Sequence, residues 1–209
     1  MIVLTTTSST SPSSTLERTA KMERITKETS VTAEVKIEGS GKINVKTSLP
    51  FVDHLITAIG KHGMMDINLM AKSNDGIIHH LIEDISIALS QAISKALGDR
   101  SQIVRFGYAI VPMDESLAYV SMDLVKRQFC NIELKLTRDS VEGIAREDLE
   151  HFVTSLAQNL NACTHIIIEY GENDHHKIEC AIKAFAISLR MAANIDKKLE
   201  GVPSTKGTM

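Results

Sequence analysis

The sequence predicts an α+β fold of two internally duplicated half-domains, each a four-stranded sheet with two helices on one face. Runs of alternating apolar and polar residues, typical of strands with one solvent-exposed face, occur in both halves. They are followed by runs in which apolar residues recur with the period of a helix. A histidine motif also occurs twice, about a hundred residues apart. Repetition of both the element pattern and the motif indicates an internal duplication.

The composition excludes several classes of protein. The chain has 209 residues and 43% hydrophobic content, enough for a real core in one large domain or two half-domains. The net charge of −3 comes without a basic stripe for nucleic acid, and no apolar run approaches the length of a membrane span. Three separated cysteines outside any C-x-x-C motif predict reduced, mostly core thiols and a cytoplasmic protein: Cys130, Cys163 and Cys180.

The chain is expected to divide into four segments. Residues 1–17 form a Ser/Thr-rich extension that lacks the charged start and long apolar stretch of a secretory signal, and we expect it to be flexible. The first half-domain covers residues 18–104 and the second covers residues 105–196. Residues 197–209 form an irregular, polar tail. We expect the two half-domains to pack together as one compact unit.

The first half-domain is predicted to contain three strands, a helix, a strand and a second helix. Pro50 suits the first turn of a helix, where its missing N–H has no partner to lose. Gly63 suits the end of that helix. The elements are expected at residues 20–48 (two or three antiparallel strands around a turn at 39–41), 50–62 (helix), 66–72 (strand) and 79–97 (helix).

The second half-domain repeats this order. Asn173 or Asp174 is the expected N-cap of its last helix, because either side chain can accept a hydrogen bond from a free backbone N–H there. The elements are expected at residues 106–111, 117–124 and 129–136 (strands), 146–160 (helix), 164–169 (strand) and 175–194 (helix).

The duplicated motif places two histidines and a glutamate at the start of a helix in each half. Residues three and four apart share one face of a helix, so each copy can present imidazoles and a carboxylate together. A further histidine, His54 in the first half and His151 in the second, repeats at an offset of 97 residues. The two copies of the motif, offset by 96 residues, are His79-His80-Leu81-Ile82-Glu83 and His175-His176-Lys177-Ile178-Glu179.

Six imidazoles and two carboxylates are enough to bind two metal ions, each with three nitrogen ligands and one oxygen ligand. An octahedral ion would then keep two positions open for substrate. Histidine with carboxylate suits Mn, Fe, Co, Ni or Zn, and the ligand types do not decide among them. Asp53, Asp84 and Glu150 are either carboxylates that orient the imidazoles or ordinary surface charges.

These residues leave the chemistry open between hydrolysis and elimination, because an open metal position can activate water or act as a Lewis acid. Glu28, on a predicted strand, is either a general acid/base or a solvated edge residue. Lys183 lies four residues after Glu179, which also allows an ordinary helix salt bridge. The residues that can bind an anion such as phosphate, or be plain surface residues, are Arg105, Arg127, Lys183, Ser204 and Lys206.

An ordered set of motifs resembles one known family over residues 18–207. The motifs are Arg24-Ile25-Thr26-Lys27-Glu28-Thr29, Phe51-Val52-Asp53-His54, the two histidine motifs with Asp84 and with Asn173-Asp174, Pro112-Met113-Asp114-Glu115, Glu150-His151-Phe152, Lys183-Ala184-Phe185-Ala186 and Pro203-Ser204-Thr205-Lys206-Gly207. The set is similar to that of the imidazoleglycerol-phosphate dehydratases, enzymes of histidine biosynthesis. Tandem histidine motifs in this order are highly specific.

The resemblance implies a 24-subunit shell with two Mn²⁺ ions per active site, held between subunits. It implies that Glu28 is the catalytic acid/base and that the anion-binding residues named above bind the substrate phosphate. The metal ligands that it implies are His54, His79, His80, Glu83, His151, His175, His176 and Glu179.

The reaction implied is dehydration of D-erythro-imidazoleglycerol phosphate to imidazole-acetol phosphate without a redox cofactor. The substrate imidazole would bind the metal, which stabilises the charge and allows loss of the C–H proton next to the ring; the neighbouring hydroxyl would then leave. The chain departs from the family pattern at residues 76–78, 87–89 and 125–126, which puts rate and substrate fit in question more than metal binding. The alternatives are a dimetal hydrolase on the same scaffold and a non-catalytic, metal-stabilised oligomeric shell.

Overall fold

The computed structural model of the chain describes residues 17–207, so nearly all of the predicted flexible extension lies outside the described residues. The strands are β1 (Thr19–Ile25), β2 (Thr29–Lys36), β3 (Ile43–Lys46), β4 (Asp66–Ser73), β5 (Phe106–Met113), β6 (Ser116–Asp123), β7 (Phe129–Glu133), β8 (Ser140–Val141), β9 (Ile144–Ala145) and β10 (Cys163–Tyr170). The helices are α1 (Pro50–Gly63), α2 (Ile78–Ala96), α3 (Arg146–Asn159) and α4 (Asp174–Ala193).

Two four-stranded sheets share one topology. Their strand orders are β1-β2-β4-β3 and β5-β6-β10-β7. In each sheet the last strand in this order runs parallel to its neighbour, and the other neighbours are antiparallel. The repeated arrangement confirms the predicted α+β fold of two duplicated halves. The boundaries assigned to the half-domains, 18–104 and 105–196, stay a prediction.

Each sheet carries the two helices of its own half on one face. Helices α1 and α2 pack on the first sheet, and α3 and α4 pack on the second. Helix α1 also packs against α4, and α2 against α3, so the helix layers of the two halves meet. One cluster of buried apolar side chains runs through both halves. Burial of this shared core therefore fixes the helices that carry the histidines.

The third strand corrects one expectation, because β3 is not part of an antiparallel run but pairs in parallel with β4. Helix α1 connects β3 to β4, and a strand–helix–strand connection returns the chain in the same direction. Strand β4 consequently lies between β2 and β3, and the predicted turn at residues 39–41 spans that gap. The Asp66 carboxylate accepts hydrogen bonds from the backbone N–H groups of Ser40 (2.7 Å) and Lys42 (2.9 Å), which holds the spanning segment in place.

The ends of the helices agree with the sequence in part. Asn173 is the N-cap of α4, and its side chain accepts a hydrogen bond from the His175 N–H at 2.9 Å, as predicted. The corresponding position of α2 is Ile77, which provides no side-chain cap. Gly63 was expected to end α1 but is its last helical residue, and Met64 takes the left-handed conformation instead (φ 53°).

Three further features differ from the sequence prediction. The short hairpin β8–β9 was not predicted, and its turn residues Glu142 and Gly143 both have positive φ, as a tight two-residue turn requires. Glu28 lies in the turn between β1 and β2 rather than on a strand. All three cysteines are free, but only Cys180 is buried.

No helix within residues 17–207 has the length and apolar character needed to cross a bilayer.

Asp174, the first residue of α4, is fully buried and anchors the start of this helix. Its carboxylate accepts hydrogen bonds from the backbone N–H groups of Thr137 (2.8 Å) and Arg138 (2.7 Å) and from the buried Lys177 ammonium (2.8 Å). Burial alone would raise the pKa of Asp174, but these hydrogen bonds outweigh it and lower the pKa below 3.8. A buried ion pair thus fixes the helix end that carries His175.

We predict that Asp174→Asn lowers the free energy of unfolding by about 3 kcal/mol at pH 7, because it leaves the Lys177 ammonium buried without its counter-charge. A carboxylate with a lowered pKa stabilises the fold above its unfolded pKa, and this contribution is lost as the pH falls through the lower folded value. The difference between wild type and variant should therefore shrink below about pH 4. Urea unfolding with chelator present measures it.

Asp139→Asn, at an exposed position near Arg138, is the matched control and should change stability by less than about 0.5 kcal/mol. A difference for Asp174→Asn that stays constant from pH 7 down to pH 3 would contradict the prediction.

Candidate metal centre

The described residues bring six of the predicted ligands into two clusters. Cluster A consists of His54, His175 and Glu179, and cluster B consists of His79, Glu83 and His151. In cluster A the Glu179 Oε2 atom lies 2.9 Å from His54 Nε2 and 3.1 Å from His175 Nε2. In cluster B the Glu83 Oε1 atom lies 3.5 Å from His151 Nε2, and the rings of His79 and His151 stack with centroids 4.8 Å apart.

Each cluster combines ligands from both halves of the chain. His54 is on α1 and meets the motif on α4, whereas His151 is on α3 and meets the motif on α2. The cross-packing of α1 with α4 and of α2 with α3 is what brings them together. Each motif contributes its first histidine and its glutamate, which are four residues apart and so lie on one helix face.

Carboxylates hold the Nδ1 atoms of all four motif histidines. The distances are 2.6 Å for His79 Nδ1 to Asp148, 2.7 Å for His80 Nδ1 to Asp75, 3.1 Å for His175 Nδ1 to Glu142 and 2.7 Å for His176 Nδ1 to Glu115. A carboxylate accepts only, so each Nδ1 carries the hydrogen and donates it. The Nε2 atoms of His79 and His80 have no such contact within the described residues, so their lone pairs are available to a metal ion, and the carboxylate on Nδ1 makes them more basic. The Nε2 atom of His175 lies 3.1 Å from Glu179, and that of His176 lies 3.5 Å from Asp114.

Two of these carboxylates, Asp75 and Glu115, are held in their charged form. The Ile77 N–H and the His80 ring lower the pKa of Asp75 to about 2. The His176 ring and the Asn173 N–H likewise hold the pKa of Glu115 far below its usual range. Asp75 in turn raises the pKa of His80. Negative charge therefore surrounds the imidazoles before any cation arrives.

Glu179 is the most buried ligand of cluster A, with 7% of its surface exposed. Burial by itself raises the pKa of this carboxyl, but hydrogen bonds from Lys183 and His54 outweigh it and lower the pKa to about 2. The Lys183 ammonium lies 2.7 Å from Glu179 Oε1, which is the helix salt bridge that the spacing allowed. Glu179 is thus ionised and ready to bind a cation at neutral pH.

His80 and His176 lie outside clusters A and B, so each cluster has two nitrogen ligands and one oxygen ligand rather than three and one. The neighbours in sequence, His79 and His175, point into the clusters instead, because adjacent helix residues face directions about 100° apart. His80 forms a third group with Asp75 and Glu28, and its Nδ1 atom lies 3.8 Å from the Glu28 carboxylate. The Nε2 atom of His176 lies 3.5 Å from the Asp114 carboxylate.

The carboxylates suggested to orient the imidazoles have other partners. Asp53 accepts hydrogen bonds from the Thr47 N–H and hydroxyl, at 3.0 and 2.6 Å. Asp84 pairs with Arg24 and Thr29. Glu150 is exposed. The orienting carboxylates that the sequence interpretation missed are Asp75, Glu115, Glu142 and Asp148.

A sequence signal was present for some of the missed residues. Asp75 precedes its partner His80 by only five residues, in the turn before α2, so this contact is local in sequence. Asp148 had no local signal, because its partner His79 lies 69 residues away in the other half of the chain. Glu115 belongs to the Pro112-Met113-Asp114-Glu115 motif. Glu142 had no such signal, because it reaches His175 through the unpredicted β8–β9 hairpin.

The predicted anion-binding residues have varied surroundings. Arg105 forms a two-point ion pair with Asp123, at 2.7 and 2.9 Å, and donates a third hydrogen bond to the Pro203 carbonyl at 2.8 Å. This contact ties the C-terminal tail, with Ser204 and Lys206, to the second sheet. Arg127 and Lys206 are exposed.

Comparison with known proteins identifies consistent relatives. A model of the family described as imidazoleglycerol-phosphate dehydratase matches residues 47–189. Proteins of that name from Chlorobium phaeobacteroides and Desulforamulus reducens are 43% and 42% identical, over 91% and 93% of this chain and 94% and 100% of their own lengths.

Solved structures agree with these relatives. The Staphylococcus aureus imidazoleglycerol-phosphate dehydratase structure has a TM-score of 0.77 at 27% identity, over 85% of this chain and 99% of that one. The Pyrococcus furiosus structure, in complex with (S)-C348, has a TM-score of 0.77 at 37% identity, over 90% of this chain and 100% of that one.

We predict that Asp148→Asn weakens binding of a divalent metal ion by about 10- to 100-fold, since His79 loses the carboxylate that fixes its ring. Titration of chelator-stripped protein with Mn²⁺, followed by calorimetry, measures this affinity. Glu150→Gln is the matched control, on the same helix and exposed, and should bind as wild type does. Equal affinities for the Asp148 variant and this control would refute an orienting role for Asp148.

Proposed function

The chain belongs to the imidazoleglycerol-phosphate dehydratase family, hydro-lyases of histidine biosynthesis, and from this premise we propose that clusters A and B hold the metal ions of the dehydration and that the product is imidazole-acetol phosphate. The observation that carries the proposal is the pair of clusters, each with two histidines and a glutamate at duplicated positions. The fixed Nδ1 hydrogens support it further, because they leave Nε2 free for coordination.

We propose Mn²⁺ as the metal, two ions per active site, in line with the family resemblance. Imidazole and carboxylate ligands without thiolates suit this ion. When bound, the metal supplies Lewis-acid stabilisation of the negative charge that develops on the substrate ring. The ring nitrogens of clusters A and B and the carboxylates of Glu83 and Glu179 would hold it.

The ligand shortfall supports active sites between subunits. One chain provides three ligands to each cluster, whereas an octahedral ion takes six. His80 and His176 belong to neither cluster of their own chain; their Nδ1 atoms contact Asp75 and Glu115. In the proposed assembly, a 24-subunit shell, these imidazoles complete the clusters of neighbouring copies. A homo-oligomer is then a requirement of the chemistry.

Glu28 is the proposed proton carrier. It is exposed in the turn between β1 and β2. Its distance of 3.8 Å from His80 Nδ1 keeps it beside a proposed ligand, while Asp75 makes the close contact with that ring. A free carboxylate beside the reacting centre can take the C–H proton or deliver one to the leaving hydroxyl.

Binding of the substrate phosphate is proposed for the residues that the family resemblance implies. Arg127 and Lys206 are exposed, whereas Lys183 is partly buried and paired with Glu179. Arg105 is already neutralised by Asp123, so its contribution is to hold the Pro203 carbonyl and thereby place Ser204 and Lys206.

The three free cysteines fit the reducing compartment of a cytoplasmic enzyme.

A turnover assay on imidazoleglycerol phosphate tests the proposal. Chelator-stripped protein should form no imidazole-acetol phosphate, and added Mn²⁺ should restore product. Glu28→Gln should lower kcat by about 10²- to 10⁴-fold while metal binding stays unchanged, since it removes proton transfer alone. Glu23→Gln, exposed on the adjoining strand β1, is the control and should keep wild-type kcat.

Product formation by chelator-stripped protein without added Mn²⁺ would contradict a catalytic role for the metal. Near-normal turnover by Glu28→Gln would remove Glu28 from the mechanism. Hydrolysis of a phosphoester in place of dehydration would favour the dimetal hydrolase. Tight metal binding with no turnover would favour a structural shell.

A further inference from the structure

Clusters A and B are equivalent by duplication, but within residues 17–207 only one of their two glutamates, that of cluster A, pairs with a lysine. The Lys183 ammonium lies 2.7 Å from Oε1 of Glu179, the carboxylate of cluster A. The position 96 residues earlier, four residues after Glu83, is Ile87. Glu83 has no lysine or arginine partner among the ion pairs of the described residues, where it contacts His151.

Lys183 pairs with the second carboxylate oxygen of the cluster A glutamate. Glu179 has two oxygens: Oε2 faces His54 and His175, and Oε1 faces Lys183. An incoming dication is attracted to this carboxylate and repelled by the ammonium on its other side. The side chain is partly buried, which weakens solvent screening of that repulsion. Its other polar contact in the described residues is the Met113 sulfur at 3.8 Å, a weak acceptor that does not replace a carboxylate.

We infer that Lys183 is an internal counter-ion of cluster A that competes with an incoming metal ion for the charge of Glu179, so that cluster A binds metal more weakly than cluster B. This inference rests on the proposed dimetal function. It predicts that two clusters with identical ligand types fill one after the other. Burial of Glu179 on its own would favour the opposite order, because a less hydrated carboxylate binds a cation more strongly.

This competition has a consequence for anion binding. A metal ion on Glu179 weakens the pair between this carboxylate and the Lys183 ammonium, which keeps its charge and is held on α4, one turn from Glu179. The ammonium is then more available to an anion when cluster A is filled. Metal binding at cluster A and anion binding at Lys183 should therefore strengthen each other by the same factor.

The duplication offers a reciprocal pair of variants. Lys183→Met removes the cation from cluster A and keeps the length of the side chain. Ile87→Lys introduces a cation at the equivalent position of cluster B, where the partly exposed side chain can reach solvent. Lys61→Met, an exposed lysine on α1, is the control for loss of one positive charge.

Chelator-stripped protein is titrated with Mn²⁺, and free Mn²⁺ is followed by electron paramagnetic resonance. Wild type should show two classes of site that differ at least tenfold in affinity. Lys183→Met should tighten the weaker class at least tenfold, Ile87→Lys should weaken the tighter class, and Lys61→Met should change neither. His54→Ala should remove the weaker class and His151→Ala the tighter one.

Two equal classes in wild type, or an unchanged weaker class in Lys183→Met, would overturn the inference. If Lys183→Met fails to fold, the Ile87→Lys variant decides instead. The inference would be overturned if this variant folds and its tighter class of Mn²⁺ sites keeps the wild-type affinity. Absence of any Mn²⁺ binding by wild type would instead contradict the proposed function, so the two failures are distinguishable.

Discussion

The packing of α1 against α4 and of α2 against α3 is the contact on which the site depends. Neither half of the chain contains a complete cluster, because its lone histidine and its histidine motif lie on helices that face the other half. Fully buried side chains such as Leu55 on α1 and Ile85 on α2 lock these helices into the shared core. The ligands project from the helix starts, where the apolar faces give way to solvent.

The second requirement is electrostatic. Unpaired imidazoles would rotate and exchange tautomers, and a set of six would bind cations weakly. The four carboxylates on Nδ1 atoms remove that freedom and bring negative charge around the site. They come from the turn after β4, the turn between β5 and β6, the β8–β9 hairpin and the start of α3. Loops that look irregular in the sequence thus determine how the histidines are presented.

The duplicated architecture, both histidine motifs and the Asn173 cap could be predicted from the sequence, because periodicity and offsets are local properties. The exchange of partners between the halves could not, since nothing local says that His54 meets His175 rather than His79. The same limit explains the orienting carboxylates. Asp53 and Glu150, adjacent to histidines in sequence, point elsewhere, whereas Glu142 reaches His175 across 33 residues.

Anomalous diffraction at the manganese edge, from crystals grown with Mn²⁺, tests the assembled site most directly. The account predicts one strong peak at His54, His175 and Glu179 and another at His79, Glu83 and His151. The ion at each peak should also be coordinated by His80 or His176 of a neighbouring copy. The account would be contradicted by manganese peaks found only at the group of Glu28, Asp75 and His80. It would also be contradicted if manganese bound elsewhere in the crystal while clusters A and B stayed empty.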